Sequence, residues 1–104
     1  MIVETTFYYA QPGQTKAVLL VRRQGSALRR ALGLAPGDIF VRCGADGPDV
    51  RWECRFADRA ALDADLAARD ASPEFGEQRR QMGALLQRFE RHIFELVAPE
   101  DTTP

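Results

Sequence analysis

The stretch Val50-Arg51-Trp52-Glu53-Cys54-Arg55-Phe56 constrains this chain more than any other. Side chains alternate across an extended strand, so Val50, Trp52, Cys54 and Phe56 share one face while Arg51, Glu53 and Arg55 share the other. The first face wants a dry core. The second carries three charges in a row and has to meet water, a partner chain or a ligand, because burying unpaired charge costs several kcal/mol.

A chain of 104 residues is expected to form one domain, here 1–98, with 99–104 as a frayed tail. At that length folding buries roughly two thirds of the unfolded chain's surface, which leaves little surplus stability. With 45% hydrophobic and 28% charged residues the composition is that of a soluble globular protein. A net charge of −1 supplies no basic field, so nucleic acid is not an expected partner. No window approaches the ~20 apolar residues of a membrane helix, and Met1-Ile2-Val3-Glu4 does not open a secretory leader, so the expected location is cytoplasmic. In that compartment Cys43 and Cys54 are expected as reduced core thiols, although a disulfide across a 38–43/50–56 hairpin is sterically conceivable. Two cysteines and one histidine at these spacings do not make a metal site.

Residues 2 to 9 are dense in β-branched and aromatic types and predict a first strand, stopped by Gln11-Pro12-Gly13. The expected inward set is Val3, Thr5, Phe7 and Tyr9, which puts Glu4, Thr6 and Tyr8 on the charged face. From Gln14 to Leu32 the recurrence of Ala17, Val21, Leu28, Ala31 and Leu32 predicts a helix. The aliphatic run 17–21 alone is also compatible with a buried strand. Asp38 to Cys43 predicts a second strand, and the turn residues Asp46-Gly47-Pro48 join it to the central strand as an antiparallel hairpin.

Asp58 is placed to cap a helix running to Arg69. Ser72 caps a further helix with Pro73 at its first position, and Phe75, Met82, Leu85, Leu86 and Phe89 are its expected buried stripe. Gly76 and Gly83 cost that helix about 1 kcal/mol each relative to alanine, so tertiary packing must hold it. Arg91 to Val97 predicts a closing strand. The resulting class is α+β: a ferredoxin-like βαββαβ order, a four-stranded antiparallel sheet and helices on one face.

The run Trp52-Glu53-Cys54-Arg55-Phe56-Ala57-Asp58, the alanine-rich helix after it, Ala71-Ser72-Pro73-Glu74-Phe75 and the closing Phe94-Glu95-Leu96 resemble the small dimeric α/β-barrel proteins. That superfamily includes the antibiotic-biosynthesis-type monooxygenases. The resemblance covers nearly the whole chain and implies a homodimer packed bare sheet face to bare sheet face. It also implies a small cavity in each protomer, between sheet and helices. Members include cofactor-free oxygenases, haem-degrading enzymes and isomerising enzymes, so the fold alone does not choose a reaction.

Three residues offer chemistry. His92, the one histidine, is the single source of an imidazole base; Arg51 can hold an anionic oxygen; the Tyr8 hydroxyl can position a polar substrate. Each also has a plain structural use at an interface. Glu4, Arg51, Glu53 and Arg55 are expected as a lattice of ion pairs in the dimer contact. Trp52, Tyr9 and Phe89 are candidates to line a pocket for a planar ligand, and the same residues serve equally as core. Nucleotide-binding glycine loops, serine-hydrolase elbows and zinc signatures are missing from the sequence, and no cofactor is expected. These residues leave open whether the protein is an enzyme on a planar small molecule, a small-ligand binder or an associating module.

Overall fold

The structure, a computed structural model, describes residues 1–99. The tail Glu100 to Pro104 lies outside the described residues. In chain order the elements are β1 (Ile2–Ala10), α1 (Thr15–Ala31), β2 (Asp38–Val41), β3 (Val50–Phe56), α2 (Arg59–Asp70), α3 (Pro73–Leu85) and β4 (Leu86–Glu95). The strands form one antiparallel sheet in the order β2-β3-β1-β4, and the helices cover one of its faces. This is the ferredoxin-like α+β arrangement, with two helices in place of the second one.

Local chemistry sets the starts of α2 and α3. Asp58 accepts a hydrogen bond from the Ala61 backbone N–H at 2.8 Å, and Ser72 accepts one from the Phe75 N–H at 3.4 Å with Pro73 at the first helical position. Both caps satisfy donors that a helix leaves open at its N-terminus. Residues 17–21 are helical throughout, so the strand alternative for them is discarded.

The buried face of β3 is the expected one: Val50, Trp52, Cys54 and Phe56 form the centre of the core with Val18, Val21 and Leu62. In β1 the expected face is inverted. Residues paired across antiparallel strands share a face, and Glu4 pairs with Cys54, Thr6 with Trp52 and Tyr8 with Val50. Glu4, Thr6 and Tyr8 therefore point towards the helices and are all buried, whereas Val3, Thr5, Phe7 and Tyr9 stand on the opposite face, where Val3 and Thr5 are nonetheless buried and Phe7 and Tyr9 partly so. The alternation of β1 admits either assignment. Long-range cations facing Glu4 decide it, as described below.

The last strand starts at Leu86 rather than Arg91, so Leu86 and Phe89 are strand residues and not part of a helical stripe. The edge of β1 presents backbone groups along its whole length, and β4 pairs with it from Ile2↔Glu95 to Ala10↔Leu86, with an irregularity at Tyr9/Ala10. Cys43 is exposed beyond the end of β2, and Cys54 alone is a core thiol; both are free. No helix of the described residues is long and apolar enough to cross a membrane.

Candidate functional site

The helix-covered face carries charge, which the core pattern of β3 does not announce. Arg29 of α1 is 1% exposed and forms a two-pronged ion pair with Asp65 of α2, at 3.1 and 2.7 Å. Its Nε also donates to the Ala35 carbonyl. Arg69, one turn on from Asp65, donates to it at 2.7 Å and forms a second fork with Glu4 at 3.0 and 2.6 Å. Arg91 of β4 donates to the same Glu4 carboxylate at 2.6 Å. The chain Arg29–Asp65–Arg69–Glu4–Arg91 thus ties α1, α2, β1 and β4 together through two bidentate and two single charge-assisted bonds.

Burial alone would push the Glu4 carboxyl up, yet hydrogen bonds and charge from Arg69 and then Arg91 outweigh it and hold its pKa below the ordinary value. Arg69 shows the mirror image, its burial offset by Glu4 and Asp65 so that its pKa is raised. Three guanidiniums face two carboxylates here, leaving one positive charge in excess. Cys54 lies 3.7 Å from Arg29 Nη2; burial nevertheless dominates and raises its thiol pKa, which leaves it a poor nucleophile.

Above this network a cavity of about 260 Å³ opens between the sheet and α1 and α3. Its walls combine apolar side chains from Val21, Phe75, Met82 and Leu86 with polar ones from Thr6, Tyr8 and Gln78. Trp52 forms part of the wall, held by three interactions: its indole N–H donates to the Pro36 carbonyl at 2.9 Å, and the guanidiniums of Arg22 and Arg29 lie 4.8 and 4.9 Å from its ring centre. Gly37 makes room for that ring. Its φ is +71°, and a Cβ there would overlap the indole and sit 2.8 Å from the Glu53 carbonyl oxygen.

Arg22 is the cavity's unpaired cation. Its Nη1 donates to Tyr8 Oη at 3.1 Å, no carboxylate pairs with it among the described residues, and its buried Nε has no hydrogen-bond partner. An unmet buried donor costs about 1–3 kcal/mol. The guanidinium can fold against α1 because residue 25 is glycine: a Cβ at that position would stand 2.9 Å from Arg22 Nη2.

Of the residues singled out from sequence, Tyr8, Trp52 and Phe89 line the cavity together, with Phe89 at 61% exposure on its rim. Tyr9 is on the open face, where the Arg88 guanidinium covers its ring at 4.1 Å. His92 is also on the open face, between Phe7 and Phe94 at ring-centre distances of 5.7 and 6.0 Å and 3.4 Å from Glu90. Arg51, Glu53 and Arg55 share that face as well, Glu53 standing 3.9 and 4.0 Å from the two guanidiniums. Glu4 does not join them; it belongs to the buried network.

Sequence reading missed Arg22, Arg29, Asp65, Arg69 and Arg91. Two signals point to them. Val18, Val21, Arg22, Gly25 and Arg29 recur at helical steps, so the buried stripe of α1 is polar in part. Asp65 and Arg69 form an i,i+4 acid–base pair beside Leu62 and Leu66 on the covered side of α2.

No protein-family model matches this chain, and no curated protein is significantly similar to it. Solved structures do resemble it. One described as an antibiotic biosynthesis monooxygenase is 22% identical with a TM-score of 0.71, covering 94% of this chain and 100% of its own. An uncharacterised NIPSNAP domain protein from Burkholderia xenovorans is 14% identical with a TM-score of 0.73, covering 100% of this chain and 99% of its own. A dimeric protein of unknown function from Bacteroides fragilis, described as having a ferredoxin-like fold, is 8% identical with a TM-score of 0.69, covering 91% of this chain and 95% of its own. At such identities the likeness is one of fold. By it, the chain shares a ferredoxin-like fold with these solved structures.

Proposed function

We propose that residues 1–98 act as a single cytoplasmic domain that binds a small organic molecule in the cavity between sheet and helices, and that two copies associate through the open sheet face. One observation carries the binding reading. A domain this small leaves about 260 Å³ open beside its core, although filling such a space with side chains would add stability. Pockets for small ligands combine mostly apolar walls with a few convergent polar groups, and Trp52, Met82, Tyr8 and Arg22 supply that combination here. A thermal-shift screen with aromatic and quinone-like compounds tests the reading: a raised melting temperature with at least one class is expected, and no shift with any class overturns it.

The homodimer rests on the composition of the open face. Phe40 and Phe94 are 39% and 52% exposed there, among the opposed charges of Arg51, Glu53, Arg55, Arg88 and Glu90. Such a mixture suits a second copy of itself, since each acidic group can meet an arginine of its twin. The free state of both cysteines fits a reducing compartment.

A second reading is favoured by the neighbours described as monooxygenases: cofactor-independent oxygenation, or isomerisation, of a planar compound held in the same cavity. Tyr8 and Arg22 would orient a substrate oxygen. Oxygen uptake on addition of a hydroquinone, or a changed absorption spectrum without uptake, is its expected sign. Inertness towards every compound that binds overturns this second reading and leaves the binder.

A further inference from the structure

We infer that the occupant of the cavity is an organic anion, a compact aromatic carboxylate, whose charged end is received by Arg22 and whose ring lies against Trp52 and Met82. This rests on the small-molecule reading above and adds a chemical class to it. Charge is the first argument. The network beneath the cavity contains Arg29, Arg69 and Arg91 against Glu4 and Asp65, and Arg79 at the mouth is matched by Asp70 at 3.2 Å. Arg22 has no carboxylate partner among the described residues. Two positive charges are therefore uncompensated along walls of low polarizability, where a counter-charge is held far more strongly than in water.

Donor geometry is the second argument. A guanidinium grips a carboxylate through two parallel N–H groups on one edge. Tyr8 takes the Nη1 side of Arg22, which leaves the Nε–Nη2 edge, and Nε donates to nothing. This edge is turned against Gly25. A carboxylate entering beside Tyr8 gives the edge a reason to turn outward, and the unmet donor gains an acceptor. Neutral ligands offer no comparable gain.

Size is the third. At about 260 Å³ the space lies just below the usual range of small-molecule pockets, about 300–1,000 Å³, which suits one or two fused rings rather than a nucleotide or an acyl chain.

The probes are 2-naphthoate and its uncharged isostere 2-naphthamide, titrated by calorimetry into the full chain at pH 7. Naphthoate is expected to bind about tenfold or more tightly than the amide, the difference that one charge-assisted pair supplies. Arg22→Met should abolish that preference, so that the variant binds naphthoate no more tightly than it binds the amide. Gly25→Ala keeps the arginine but puts a methyl group where Nη2 rests, so it should change the ratio of naphthoate to amide affinity several-fold. Equal affinity of the two probes in the unaltered protein overturns the anion assignment and leaves the cavity reading intact. Naphthoate preference that survives Arg22→Met overturns the role of Arg22. Binding of neither probe also overturns the assignment; the cavity reading falls with it only if the neutral compounds of the thermal-shift screen are silent too.

Discussion

Replacing Glu4 by glutamine removes one charge, keeps the shape and tests the buried network at its busiest atom. The carboxylate accepts three hydrogen bonds, two from Arg69 and one from Arg91, at 2.6 to 3.0 Å, and is 1% exposed. An amide retains one oxygen and turns an NH₂ group towards a guanidinium that can only donate. Breaking a buried pair in this way costs about 3–5 kcal/mol. The lower end applies here, because Arg69 keeps its bond to Asp65 and Arg91, 39% exposed, can turn into water. A loss of about 3 kcal/mol is a large part of the ~5–15 kcal/mol that holds a small domain together, and corresponds to a fall of about 1–3 M in the urea midpoint. Trp52, the one tryptophan, reports the transition by fluorescence.

The pH dependence adds an internal control. Glu4 has a depressed folded pKa, so its contribution is complete above the ordinary glutamate value of 4.5 and is lost as pH falls through the lower folded value. The unaltered protein should therefore lose stability on acidification more steeply than Glu4→Gln, and the two should converge in acid. Equal urea midpoints at pH 7, or a gap that does not narrow below the ordinary glutamate pKa, would refute the reasoning. The losses from Glu4→Gln and Arg69→Met should not add, since both remove the same fork.

Other expectations follow from the same geometry. Gly37→Ala forces a side chain into left-handed backbone, costing about 1–2 kcal/mol, and into the Trp52 ring; thermal denaturation should show a larger drop than for Gly33→Ala, whose φ is +75° but whose Cβ meets open space. Glu53→Arg would present three arginines in line on the open face and should dissociate the proposed dimer in light scattering at low salt; an unchanged mass would show that this face is not the contact. Under native conditions an alkylating reagent should label exposed Cys43 rapidly and buried Cys54, whose thiol pKa is raised, only on unfolding; equal labelling rates read by mass spectrometry would contradict the burial of Cys54. Trp52→Ala should cost roughly 3–5 kcal/mol in urea denaturation, and little loss would place the indole outside the core.

Local chemistry made the helix starts legible, because a cap is a short-range event: Asp58 and Ser72 meet backbone donors three residues away. The buried face of β3 was legible for the same reason, its alternation being unambiguous over Val50–Phe56. β1 was not. On hydrophobicity Val3, Thr5, Phe7 and Tyr9 are a better inward set than Glu4, Thr6 and Tyr8, and a one-residue change of face reverses every side chain. That preference was overruled by Arg69 and Arg91, which meet Glu4 from far along the chain.

The closing strand shows the same limit. Leu86 and Phe89 continue the apolar spacing of α3, yet β1 offers an edge that must be paired, and β4 starts early to pair it. From its own residues the chain determined an antiparallel sheet with one oily and one charged face on its central strand, helices with set beginnings, and a tryptophan at the centre. Tertiary structure alone decided that Tyr8, Arg22 and Trp52 share a cavity while His92, Tyr9 and Arg51 do not. The reason is physical: which face a strand buries depends on the charges that come to meet it, and those arrive only when the sheet and its helices close.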